Sequence, residues 1–131
     1  MLHVKLVVPE GEVWAGTADE VVAKTLEGDI GVLTGHTPVL GILAPGSVVA
    51  ILPRERPSGP GGWIQAAVAG GFLSVADDNV SILARQAVLG TDVDRATARA
   101  ELAEASGGAG GAESERAGYL RAQLRAAGDQ G

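Results

Sequence analysis

The chain contains no cysteine, which excludes disulfides and thiol catalysis and fits a reducing compartment. Lysine is almost missing: Lys5 and Lys24 are the only two, and the formal charge is −6. That balance argues against nucleic acid as a partner, because phosphate contacts need clustered Lys and Arg. Acidity instead aids solubility or complements a basic partner. Aromatic residues make up only 3% of the chain, so the core must be built from Val, Leu, Ile and Ala; a 46% hydrophobic content supplies enough of them. No apolar run approaches the length of a bilayer span. Membrane association is therefore expected only through a partner. The first residues, 1–6, alternate like a strand and carry neither a charged leader with an apolar run nor an Arg/Ser-rich segment, so no signal or transit peptide is expected.

What is present is glycine, aliphatics and a change of pattern near Thr91. Twenty glycines are too many for an all-helical protein and suit a turn-rich fold. Strand candidates run over 2–8, 13–14, 20–25, 30–33, 39–43, 47–52, 63–69, 72–75 and 80–83, with turn residues separating nearly all of them. Asp77-Asp78-Asn79 is the clearest tight turn, closing a hairpin between Leu73/Val75 and Val80/Ile82. Residues 53–62, rich in Pro and Gly, read as a mobile surface loop. From Thr91 the chain becomes rich in Ala, Glu and Arg and lacks Pro. Thr91 or Asp92 is read as the cap of a helix to about Ala105. The glycine-rich break at 107–111 separates it from a second helix over about 112–127. Positions 93, 96, 100 and 103 form one apolar seam, and 117, 120, 124 and 127 form another. The fold class is thus β + α: an N-terminal β-sandwich of about ten strands (1–88) followed by an antiparallel two-helix hairpin (89–131). An alanine seam buries little area, so the hairpin is expected to be the looser part.

Nothing in the sequence forms an active site. Only His3 and His36 exist, without ligand spacing, so no metal site is expected. No serine sits in a Gly-x-Ser-x-Gly elbow. Asp77 and Asp78 read as solvated turn residues. Glu27 and Asp29, flanking Gly28 on a turn, are either solvated or able to meet basic groups on a partner. Val13, Trp14 and Phe72 are read as either core or partner-facing. Arg121 and Arg125, one turn apart, have the spacing to clamp a phosphate, and read equally as solvated or as paired with Glu101 and Glu104.

The stretch Gly28-Asp29-Ile30-Gly31-Val32-Leu33-Thr34-Gly35-His36-Thr37-Pro38 has glycines at phosphate-loop spacing, but His36 stands where lysine is needed. Gly31 and Gly35 read better as corners between strands, where φ > 0 is required. This stretch resembles the epsilon subunit of bacterial F-type ATP synthases. So does the segment from Val7-Val8-Pro9-Glu10-Gly11 to Gly16, and so does Ala69-Gly70-Gly71-Phe72-Leu73 followed by Asn79-Val80-Ser81-Ile82. The three blocks stand in the family's order over most of residues 2–90.

The resemblance implies a non-catalytic rotor subunit that couples the gamma subunit to the c-ring. Its hairpin would extend toward the catalytic alpha/beta head and restrain ATP hydrolysis. It implies a peripheral place on the cytoplasmic face of the bacterial plasma membrane, with no direct insertion. It makes Glu27 and Asp29 a c-ring contact, and Gly31, Gly35, His36, Gly70 and Gly71 structural turn residues, His36 bonding a local carbonyl. No cofactor is expected. Some family members bind ATP at an aliphatic-Asp-x-x-Arg-Ala motif on the first helix; here Val93-Asp94 aligns but Thr97 takes the arginine position. Thr34 replaces a customary proline, and Arg85 stands where an acid is common. An alternative of another class is a free-standing β-sandwich that binds a small ligand, with a helical tail for oligomerisation.

Overall fold

The computed structural model describes residues 1–54, 62–107 and 112–128. Among these residues nine strands and two α-helices follow one another: β1 (Leu2–Val8), β2 (Gly11–Thr25), β3 (Gly28–Leu33), β4 (Val39–Leu43), β5 (Ser47–Pro53), β6 (Ile64–Val68), β7 (Gly71–Ala76), β8 (Asn79–Ala84), β9 (Ala87–Leu89), α1 (Arg95–Gly107) and α2 (Ala112–Ala126). The expected loop at 53–62 lies mostly outside the described residues, as does the helix break beyond Gly107. Pro53 itself closes β5 and is buried.

Strict alternation builds the first strand: Leu2, Val4 and Leu6 are buried while His3 and Lys5 are exposed, as period-two geometry requires. The 15-residue β2 joins what the sequence reads as two separate strands. Its first half pairs with β1, and its second half pairs with β3 and β5 on its two sides. One nine-stranded sheet is thereby folded over at β2 into two layers. One layer carries β4, β7, β8 and β1, the last two pairing in parallel. The other carries β3, β5, β6 and β9. Between them Leu2, Leu6, Val21, Val32, Ile51, Leu73 and Ile82 are fully shielded from water. Val13 and Trp14 pack against this core from its edge.

Asp77 and Asp78 both adopt positive φ, 50° and 63°, the conformation of a two-residue hairpin turn whose twist matches its strands. The register joins Leu73 to Ile82 and Val75 to Val80, as the sequence pattern predicts. The Gly70–Gly71 pair is not a hairpin turn; it carries the chain from β6 in one layer to β7 in the other. A side chain on Gly71 would overlap the Leu83 carbonyl, so glycine is required by close approach.

Helix α1 begins later than predicted. Residues Gly90–Asp92 form a 3₁₀ turn, and Asp94, rather than Thr91 or Asp92, caps the helix: its Oδ1 accepts the Thr97 N–H at 3.1 Å. The shift rotates the seam. Ala96, Ala100 and Ala103 are exposed, while Val93, Ala98 and Leu102 meet Leu120 and Leu124 of α2. On α2 the predicted positions 117, 120 and 124 are buried and 127 is half-buried. Arg116 pairs with Glu101, and Arg95 donates to the Ala127 carbonyl, so the helices run antiparallel. Helix α2 also packs across β5 and β6, where Ala67 and Ala122 are fully buried.

Candidate functional site

The two outer faces of the sandwich differ. The face of β5 and β6 is covered by α2, whereas among the described residues the face of β4, β7 and β8 leaves large apolar side chains exposed. Cross-strand register puts Ile42 beside Phe72, Phe72 beside Leu83, and Leu83 beside Val7. Ile42, Phe72 and Leu83 are each about half exposed (52%, 52% and 51%), and Leu40, one row along, is 74% exposed. Scattered apolar residues are ordinary on a surface, whereas these form a row continuous over four strands. Phe72 thus faces outward rather than into the core, while Val13 and Trp14 pack against the core edge. Sequence reasoning missed Ile42, Leu83 and Leu40 because a strand in isolation does not reveal which of its neighbours share its outward face.

This face ends at the β2–β3 turn that carries Glu27 and Asp29, both exposed. Thr25 preorganises the turn: its Oγ1 donates to the Gly28 carbonyl at 2.8 Å and accepts the Glu27 N–H at 3.2 Å. Gly28 takes φ +124° to close it. Leu26 N–H bonds the Ile42 carbonyl, fastening the turn to β4. Glu27, Asp29, Leu40 and Ile42 border one groove of about 440 Å³. The chemistry on offer is two carboxylates beside exposed aliphatics, suited to a partner with basic and apolar groups.

The remaining predicted residues are elsewhere. Gly31 is not a corner: it lies within β3, paired with Val22, and its φ is not positive. The ladder simply runs through it, and the corners are made by Gly28 and by Gly35 at φ +84°. Gly35 and His36 follow the far end of β3, roughly 20 Å of strand from Gly28. There His36 N–H bonds the Leu33 carbonyl and the His36 ring nitrogen Nδ1 lies 2.6 Å from the Thr37 carbonyl. Asp78, read from sequence as merely solvated, accepts the Gly35 N–H at 2.7 Å through its Oδ1 and ties this loop to the β7–β8 turn. No local pattern signals a bond between residues so far apart in the chain. Arg85, in place of an acid, donates to the Ala69 carbonyl at 3.0 Å and lies under Gly70.

Of the polar groups weighed for nucleotide, Asp94 and Arg125 are used within the fold, while Arg121 is exposed. Hydrogen bonds from Thr97 hold the Asp94 carboxyl below the usual carboxylate range. Arg125 donates to the Gly46 carbonyl at 3.1 Å rather than reaching Glu101 or Glu104. Tyr119, half-buried on α2, has its phenol pushed up by burial. Among the described residues no group of three or more His, Asp and Glu has metal-holding geometry, and no helix is long and apolar enough to cross a membrane.

The chain folds as a small two-layer sandwich with exposed apolar side chains on one face and a helix pair on the other. Residues 1–90 match the family described as ATP synthase, Delta/Epsilon chain, beta-sandwich domain. The chain is 50% identical over 129 residues to the ATP synthase epsilon chain of Thermobifida fusca, covering 96% of this chain and 91% of that one. It is 45% identical over 125 residues to the ATP synthase epsilon chain of Rhodococcus erythropolis, covering 95% and 94%. Its fold is similar to a chain in the Euglena gracilis mitochondrial ATP synthase, with TM-score 0.71 and 24% identity over 96% of this chain and 80% of that one. The chain belongs to the epsilon-chain family of bacterial F-type ATP synthases.

Proposed function

We propose that this chain is a non-catalytic subunit of the central rotor, joining the gamma subunit to the c-ring. The observation that carries this reading is the open row Val7–Leu83–Phe72–Ile42, a face that needs cover, on a member of a family named for its complex. Gamma would take this apolar face. The c-ring would meet the turn at Glu27 and Asp29, where fixed carboxylates suit a polar, basic-containing loop. The division into a rotor-binding sandwich and a regulatory helix pair is part of the same proposal. Docked on β5 and β6, the pair leaves the catalytic head untouched; extended toward the alpha/beta subunits, it restrains ATP hydrolysis. The protein would sit on the cytoplasmic face of the plasma membrane through the complex.

The test has two arms. Tagged chain is pulled down from membranes and its partners identified by mass; gamma and c subunits are expected, and recovery of the chain alone sinks the rotor assignment. Complexes rebuilt with full-length chain and with chain lacking residues 92–131 are then assayed for hydrolysis at equal occupancy. A faster rate for the truncated form is expected. Equal rates would remove the regulatory role and leave coupling in place.

A further inference from the structure

Helix α2 reaches the sandwich by backbone contact at two glycines. At the β4–β5 turn, Gly46 adopts φ +64°, and a Cβ there would lie 2.7 Å from the Gly118 carbonyl carbon and 3.0 Å from the Tyr119 nitrogen. Arg125, two turns along α2, donates to the Gly46 carbonyl from the same side. At the other end, Gly90 opens the 3₁₀ turn after β9, and a Cβ there would overlap the Ala126 carbonyl. Helix α1 is held chiefly by α2, through the Leu102, Leu120 and Leu124 cluster. The pair therefore rides on one helix with two points of close approach, both on the sheet side.

We propose that Gly46 and Gly90 form the latch that holds the helix pair on the sandwich, with Arg125 as its side-chain catch. The proposal rests on reading that pair as the moving part. Gly90 is the decisive position. Its φ is not positive, so the local backbone does not demand glycine, and the three atoms nearest an added methyl all belong to Ala126 and Ala127 at the end of α2. Gly46 is less clean, because its left-handed backbone penalises a side chain whatever surrounds it. Gly118 supplies the matched control: a Cβ on it meets nothing within 4 Å, so alanine there strengthens the helix without touching the seat.

The full chain carries its own reporter. Trp14 and Trp63 border the groove of about 430 Å³ that the C-terminal turn of α2 closes at Ala126 and Ala127. Hydrogen exchange and acrylamide quenching are measured on the isolated parent chain, Gly90→Ala and Gly118→Ala. In Gly90→Ala the α2 amides should exchange roughly tenfold faster or more and tryptophan quenching should rise, while β1, β7 and β8 amides keep parental rates. Gly118→Ala should match the parent or exchange more slowly in α2. Parental exchange and quenching in Gly90→Ala would overturn the latch. So would loss of protection in β1, β7 and β8 together with α2, since Gly90 would then be a requirement of the sandwich itself. Because these readouts use the isolated chain, they stand or fall apart from the hydrolysis assay.

Discussion

Between the two layers of the sandwich, large aliphatics such as Leu2, Leu43, Leu73 and Ile82 lose essentially all contact with water. Among the described residues the helix pair has Ala98, Leu120 and Leu124 buried in its own cluster, with Val93 and Leu102 partly so. Its other buried residues, Ala117 and Ala122, are small. Burial contributes in proportion to apolar area, so the sandwich holds itself together while the helices depend on the sheet beneath them. Both halves use glycine, but differently. Gly71 lets strands of the sandwich pass one another, whereas Gly90 lets a helix settle against a finished sheet. A region with a strong core and one with a borrowed seat should respond unequally to the same kind of change.

The largest effect is expected from Leu73→Ala. Its side chain is fully buried at the centre of the two layers, and removing it should cost about 2–5 kcal/mol, read as a lower urea midpoint for the whole chain. A variant that loses only helical signal would break the contrast between the regions. Removal of everything after Gly90 should do less: the fragment is expected to unfold cooperatively on heating, because among the described residues the core of the sandwich contains no helical residue. A molten or aggregating fragment would show instead that cover over Ala67 is indispensable.

Changes of pH sharpen the comparison further. Asp94 has its folded-state pKa depressed, so its contribution is present above the ordinary carboxylate pKa and is lost as pH falls through the folded value. Tyr119 is raised, so its contribution is intact below the ordinary phenol pKa and disappears as pH rises toward the folded value. Far-UV circular dichroism should report loss of helical signal at both extremes before the strand signal collapses. Asp94→Ala should shrink the acid arm, which the Arg116–Glu101 pair shares, and leave the alkaline arm unchanged. Smallest for stability is the double charge reversal Glu27→Lys with Asp29→Lys, which should shift the melting free energy by less than about 1 kcal/mol. Its expected consequence is weaker binding to membranes carrying the complex, and unchanged binding would show that the turn does not face the ring.

Strand positions were readable where aliphatic stretches are bounded by turn residues: β1 and β4 match the sequence reading at both ends. Continuity of β2 was not, because residues 15–19 contain Gly, Thr and Asp and look like a turn while pairing with β1 at every step to Ala18. The three residues of β9 were missed for want of length, and are a strand only because β6 offers an edge. The helix seam was half right. Leu120 and Leu124 announce the face of α2, but alanines recur on several faces of α1 and do not specify one. For the candidate site, the turn at Glu27 and Asp29 was found from its charges, while the apolar face beside it was not.

The sequence by itself determined the β-then-α order, the aliphatic core, the Asp77-Asp78 turn and the family, because these depend on residue type and on spacing along the chain. Tertiary structure alone decided which outer face stays open, that Asp78 holds Gly35, that Gly31 runs straight through a ladder, and that Gly46 and Gly90 seat α2. Each of these depends on contacts between residues distant in the chain. A side chain's exposure, or the space for a single methyl, is set by whichever segment folding brings opposite it.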